Sequence, residues 1–245
     1  MKNQANRLIQ LFAKNQSRQP ASLRSEGGAE NDLFVYDVIG DDWFGGVKAE
    51  DFVKALKAIK GDTINLHIDS PGGDVFAAAA MGAALDASGK HVVAYIDGLA
   101  ASAASKLAMH AHEVVIAEGA FIMIHNAWTI AYGNRHDFIK QADILEKVDN
   151  SLVSVYVSKS GADADKVRAW MDAETWFTAD EAVTEGFADR KAERQKTAAM
   201  AWNLSAYDKA PEALIKPPKA ESDPFPQPDR AAMERRVNLL SRIAP

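Results

Sequence analysis

The chain has no cysteine. That excludes disulfide staples, thiolate zinc sites and a cysteine nucleophile. It also lacks any apolar run near the roughly 20 residues that cross a bilayer, so no membrane-spanning helix is expected. The N-terminus carries no apolar core of a secretory signal, and the expectation is a cytoplasmic protein without membrane contact. Proline is nearly missing from the middle of the chain: seven of the nine lie after residue 210. Basic charge is scarce there too, with 16 basic against 28 acidic residues between 26 and 204. Such an acidic body argues against nucleic acid as the main partner, because phosphate binding wants a basic surface.

What is present is ordinary for a globular protein: 245 residues, 47% apolar and 25% charged, enough for one substantial core plus tails. Three regions are expected. Residues 1–31 form a basic N-terminal arm and linker, with five Lys/Arg and no acid in the first 25 residues. Leu8, Ile9, Leu11 and Phe12 in that arm set up a short amphipathic helix, read either as an organellar transit peptide or as a mobile arm or pro-segment. Residues 32–204 are the folded body. Residues 205–245 are a proline-rich tail, disordered or extended to about 230, with a short helix over 230–242.

Within the body, apolar strands alternate with helices of 10–15 residues. Strands are expected over 33–39, 63–68, 91–96, 114–116 and 121–124, and helices over 49–59, 75–87, 103–111, 135–158, 164–171 and 179–185. This alternation implies βαβ units and a largely parallel α/β sheet with right-handed crossovers.

Chemistry concentrates at the junction Gly98-Leu-Ala-Ala-Ser-Ala-Ala-Ser105, between a buried strand and an alanine-rich helix. The Ser102 hydroxyl there meets unpaired N–H groups at a helix start, which favour developing negative charge. Read alone, it is also an ordinary N-cap. Nucleophilic serine chemistry further needs a base, a group to orient the base, and oxyanion donors. His125 ends an apolar strand, where open α/β sheets present functional groups. The turn Pro71-Gly72-Gly73 leaves backbone N–H groups bare enough to meet a substrate oxygen.

Ser70-Pro-Gly-Gly, Gly98-Leu-Ala-Ala-Ser102, Met123-Ile-His125 and Phe177-Thr-Ala-Asp-Glu-Ala-Val-Thr-Glu-Gly186 stand in the order and spacing of one family. Over residues 32–190 the chain resembles the proteolytic subunit of the Clp protease, and most closely the Clp-related head maturation proteases of tailed phages and prophages. The resemblance implies a crotonase-like spiral of βαβ units with a long protruding helix, matched in place by 135–158, that joins subunits into ring-like homo-oligomers. It assigns the nucleophile to Ser102, the base to His125, and the oxyanion hole to the amides of Gly73, after Gly72, and Ala103. The family's third member is an Asp, and its position holds Glu174 here, with Asp172 two residues away. The implied activity is a serine endopeptidase, without metal or organic cofactor, acting on protein or peptide substrates such as phage capsid or scaffold proteins. An ATP-dependent unfoldase partner is left open. Three rivals remain at this point: a Ser–Lys mechanism through Lys106, a crotonase-type acyl-CoA hydratase or isomerase, and a non-catalytic assembly (scaffold) protein.

Overall fold

The computed structural model describes residues 15, 30–40, 46–193 and 202–215. All of them belong to one compact unit, Met1–Ile215. The expected arm and linker (apart from Asn15, Glu30 and Asn31) and the expected tail beyond residue 215 lie outside the described residues.

The chain runs β1 (Asp32–Val35), α1 (Ala49–Ala58), β2 (Thr63–Ser70), α2 (Val75–Ala87), β3 (His91–Ala101), α3 (Ala103–Ala108), β4 (Glu113–Ile116) and β5 (Phe121–Ile124). It continues through α4 (Arg135–Ser160), α5 (Ala164–Asp172), β6 (Thr175–Thr178), α6 (Ala179–Thr184), β7 (Arg190–Lys191) and α7 (Glu212–Ile215). One seven-stranded sheet results, with a path β1-β2-β3-β4-β7 that is parallel throughout. This is the α/β sheet expected from the alternation, with the long helix in place.

β3 is the strand on which the site is built. Its first half pairs with β4, and Leu99–Ala101 pair in parallel with Phe121–Met123 of β5. β6 then closes antiparallel on β5. The strand expected to end at residue 96 therefore continues five residues further. The extension is held by β5 and by Ser70 opposite Ala100, partners that no local pattern reveals. Gly98 makes room for a buried carboxylate, since a Cβ there would lie 2.9 Å from Asp69 Oδ1.

The two faces of β3 and β5 bury against different layers, as strand alternation requires. Ala100, Ile122 and Ile124 join the main core with Phe52, Leu85, Leu107, Tyr156 and Phe187 from the helical layer and its flanking loop. Leu99, Ala101 and Met123 point the other way and are covered by Trp202, Leu204 and Tyr207. The expected boundary at 204/205 thus falls inside a packed segment, and the described residues 205–215, expected as disordered or extended tail, include Tyr207 of that cluster and α7. The leucine, isoleucine, phenylalanine and methionine side chains in these two layers each contribute on the order of 1.5–3 kcal/mol when fully buried.

α4 starts on a capping box built by Asn134 and Asp137 and ends at Gly161, whose left-handed backbone suits glycine. Its halves differ. Leu152, Val153 and Tyr156 are buried, whereas Phe138, Ile139 and Ile144 are exposed apolar residues. No helix among the described residues is long and apolar enough to cross a membrane. Leu152→Ala is expected to cost about 2–5 kcal/mol, the range for buried leucines. Lys140→Ala, at an exposed position of the same helix, is expected to stay within about 0.5 kcal/mol. Denaturant midpoints of the two variants measure the difference.

Candidate active site

At the end of β3 the backbone turns sharply into α3. Ser102 occupies that corner at φ 55°, ψ −121°, a left-handed conformation that a non-glycine residue holds only against strain. Such strain costs of order 1–3 kcal/mol and persists only where the surroundings over-determine it. Here they do. Ser102 N donates to Met123 O at 2.9 Å, which continues the β3–β5 ladder. The Ser105 hydroxyl donates to Ser102 O at 2.7 Å. The Tyr156 hydroxyl lies 2.9 Å from Ser105 Oγ and, with the serine proton committed, is the donor there.

The same ladder carries His125. β5 runs beside β3 in register Ala101↔Met123, so the residue just past β5 emerges beside the residue just past β3. His125 Nε2 lies 2.8 Å from Ser102 Oγ. Protein packs closely enough around the ring, although part of its surface stays open, that burial pushes the His125 pKa down to about 4. The imidazole is therefore neutral at neutral pH, with Nε2 free to accept the Ser102 proton.

The loop after His125 is pinned from two helices. Ala127 N donates to Asp149 Oδ1 of α4 at 2.6 Å, and Asn126 Nδ2 donates to Asp172 Oδ1 of α5 at 2.7 Å. Burial, chiefly, raises the Asp149 pKa.

The glycine turn packs against this corner. The Ser70 hydroxyl donates to Asp37 O at 2.6 Å and accepts from Gly72 N at 3.1 Å. Gly72 N is thus occupied, and Gly72 serves by lacking a side chain: a Cβ would lie 2.5 Å from Ala101 O and 2.8 Å from Ser102 Cβ. Its neighbour is different. Among the described residues no protein acceptor engages Gly73 N or Ala103 N. Around these groups opens a cleft of about 330 Å³, walled by Gly73, Phe76, Trp128, Leu152, Tyr156 and Tyr207.

Glu174 stands elsewhere. Its backbone is left-handed, φ 50°, and its carboxylate accepts from Trp176 Nε1 at 3.2 Å, Asp208 N at 3.1 Å and Lys209 N at 2.7 Å. Asp172 is taken by Asn126. Among the described residues, His125 Nδ1 has no hydrogen-bond partner. The structure brings Ser102, His125, Gly73 and Ala103 together and does not bring Glu174 to the histidine. Lys106 is buried, which lowers its pKa; its backbone N donates to Ser102 O at 3.2 Å, but among the described residues its ammonium makes no hydrogen bond to the Ser102 hydroxyl. Two other histidines face carboxylates away from this corner, His67 with Asp97 at 2.9 Å and His110 with Asp86 at 3.0 Å.

Several site residues escaped the sequence reading. Ser105, three residues after Ser102 on a short helix, and Tyr156, on the apolar stripe of α4, carry weak signals of spacing. Tyr207 carries none: with Trp202 and Leu204 it forms a short apolar segment without helix or strand period, yet its ring packs edge-on to His125 at 5.4 Å.

The His125 pKa has a measurable consequence. Above about 4 the ring is neutral and competent as a base; below, it is protonated and cannot accept from Ser102. The rate at which a fluorophosphonate labels Ser102 is expected to fall on the acid side near pH 4, below the ordinary histidine range near 6.5. Between about pH 6.5 and 4 the unfolded chain binds a proton that folded His125 refuses, so this residue also makes stability decline as pH falls through that window.

Residues 28–195 match the Clp protease family. Proteolytic subunit 3 of the ATP-dependent Clp protease of Rhodococcus jostii is 32% identical over 130 residues, 52% of this chain and 64% of the relative. The proteolytic subunit from Bacteroides fragilis is 32% identical over 136 residues, 53% of this chain and 63% of the relative. Subunit 2 of Mycolicibacterium paratuberculosis is 25% identical over 179 residues, 69% of this chain and 85% of the relative. The chain thus spans less than two thirds of the first two of these curated relatives. With the match covering most of its length, and a parallel sheet that ends on a serine, a histidine and two open amides, the chain belongs to the Clp protease family.

Proposed function

We propose that this chain is a serine endopeptidase that works through an acyl-enzyme. The observation that supports it most is the Ser102 hydroxyl, 2.8 Å from a neutral imidazole at a strained corner that faces two unengaged amides. His125 Nε2 takes the Ser102 proton as Oγ attacks the scissile carbonyl. The new oxyanion sits between Gly73 N–H and Ala103 N–H, whose donors cost no reorganisation because none of the described residues holds them. The imidazolium then gives its proton to the leaving amine. Water repeats the sequence in reverse and frees Ser102. A hydratase on this fold would have no use for a serine hydroxyl held on an imidazole.

The cleft walls are largely apolar, with Phe76, Trp128 and Leu152 among them, and suit an apolar side chain beside the scissile bond. Extended substrate adds as a strand beside Ser70–Gly73, so main-chain hydrogen bonds supply affinity and the cleft supplies selectivity. Phage capsid or scaffold proteins are the substrates suggested by the motif resemblance over residues 32–190, which is the support for that part of the reading. A ring-like homo-oligomer is supported by the exposed apolar residues Phe138, Ile139 and Ile144 on the first half of α4.

Two measurements test this. A fluorophosphonate should label the peptide that carries Ser102, and Ser102→Ala should abolish both labelling and peptidase activity by several orders of magnitude while the fold persists. Label on Ser105, or persistent activity, overturns the assignment. Light scattering should give a multiple of the chain mass, and Phe138→Asp with Ile144→Asp should lower it; a monomer in the unaltered protein overturns the ring.

A further inference from the structure

The segment 202–215 does more than cover the second face of the sheet. Trp202 Nε1 donates to the buried Asp69 Oδ1 at 2.8 Å, which anchors the segment behind the glycine turn. The Tyr207 hydroxyl donates to Pro71 O, one residue before the two glycines, and interacts with Ser102 as well. Its ring stands edge-on to His125 at 5.4 Å and to Trp176 at 5.7 Å, and forms one wall of the substrate cleft. The next two residues present their amides to Glu174, at 3.1 and 2.7 Å. The Lys209 ammonium donates to Ala173 O, so the segment is anchored on both sides of Tyr207, at Trp202 before it and at Asp208 and Lys209 after it.

The consequence is a site complete in four of its five parts. Nucleophile, base and both oxyanion amides are assembled, while among the described residues the Nδ1 proton of the base has no acceptor. The one carboxylate at the motif position is engaged by three donors, two of which belong to this segment. Charge-assisted bonds from backbone amides hold a carboxylate firmly and in a defined direction. They also give it an alternative to His125.

We propose that residues 202–215 are an intramolecular gate on the active site: Tyr207 fills the space beside Ser102 and His125, and the amides of Asp208 and Lys209 hold Glu174 away from His125. When the segment is displaced, Glu174 loses two of its three donors and turns to the Nδ1 proton. This fixes the tautomer and stabilises the imidazolium that forms during attack. Closed, the chain holds a serine–histidine pair with a crowded nucleophile; open, it holds a full triad. Glutamate rather than aspartate suits this use, because the longer side chain serves both sets of donors. The inference rests on the serine-peptidase reading above.

The test uses the full-length chain and the second-order rate of fluorophosphonate labelling, in the unaltered protein and in Tyr207→Ala, Lys209→Pro, Glu174→Gln and Tyr207→Ala/Glu174→Gln. Tyr207→Ala clears the nucleophile, and Lys209→Pro deletes one amide donor without removing an apolar side chain. Both should label faster, by at least about fivefold, the lower end for coupled two-state sites. Glu174→Gln should lower the rate more in the Tyr207→Ala background than in the unaltered chain, cancelling much of the gain. That pattern separates a gate from a wall, because loss of a merely structural contact would not make the effect of Glu174 depend on Tyr207. Unchanged or slower labelling in both variants, with folding retained by circular dichroism, overturns the gate. Loss of folding in both overturns it too, since a segment on which the fold depends is not displaceable. If no chain labels, the unaltered protein included, the peptidase reading itself fails. If all label at the same rate, the gate alone fails.

Discussion

Ser102 N donates to Met123 O where the ladder joining Leu99–Ala101 to Phe121–Met123 ends, and the rest of the site depends on that ladder. Parallel strands in register end side by side. The residue after one is delivered beside the residues after the other, at a spacing set by backbone hydrogen bonds rather than by flexible side chains. Ser102 and His125, 23 positions apart in sequence, come within 2.8 Å for that reason. The ladder also stabilises the left-handed corner at Ser102, with help from Ser105 and Tyr156, which hold its carbonyl from the helical side. A relaxed serine there would turn its hydroxyl and its neighbour's amide elsewhere.

Packing and electrostatics point the same way. The glycine turn is pressed so closely on the corner that a single Cβ at Gly72 would overlap Ala101 O and Ser102. That closeness brings the open amides of Gly73 and Ala103 to one place, and it keeps water from the ring of His125. Exclusion of water lowers the histidine pKa and strengthens every dipole inside the cleft. The orientation of the imidazole comes from its neighbours: Tyr207 against its edge, and the loop at 126–127 tied to Asp149 and Asp172. Carboxylates thus act at one remove, through the backbone that carries the histidine.

The layers on the two sides of β3 and β5 have different characters. The helical side is a continuous core reaching from Leu33 to Ala188. The other side is a small cluster, half of it supplied by Trp202, Leu204 and Tyr207 from a segment far along the chain. A small cluster held by a few side chains opens more readily than a large core. The candidate active site lies at the boundary between the two, so His125 is fixed from the large core while one wall of the cleft belongs to the small one. α4 shows a similar division along its own length, with a packed second half and an exposed apolar first half.

Much of this was legible in the chain itself. Alternating apolar segments of strand and helix length dictated a parallel α/β sheet, since successive strands of one direction need crossovers. The small residues around Ser102, the glycine pair at 72–73 and a histidine at a strand end marked three groups that the fold brings together in the candidate site, because each needs a residue type that other roles do not. The long helix was visible over 135–158 from its apolar stripe, though not which half of that stripe would be covered. Tertiary structure alone decided the rest. The continuation of β3 to Ala101 came from the ladder with β5, a partner some 20 residues distant. The packing of 202–215 came from a sheet face whose uncovered area local pattern does not report, and three isolated apolar residues have no period to betray them. The carboxylate was the hardest to read, for a physical reason. Motif spacing places the backbone of Glu174, but a side chain with three rotatable bonds goes to whichever donors the fold brings near, and here those are the amides of Asp208 and Lys209.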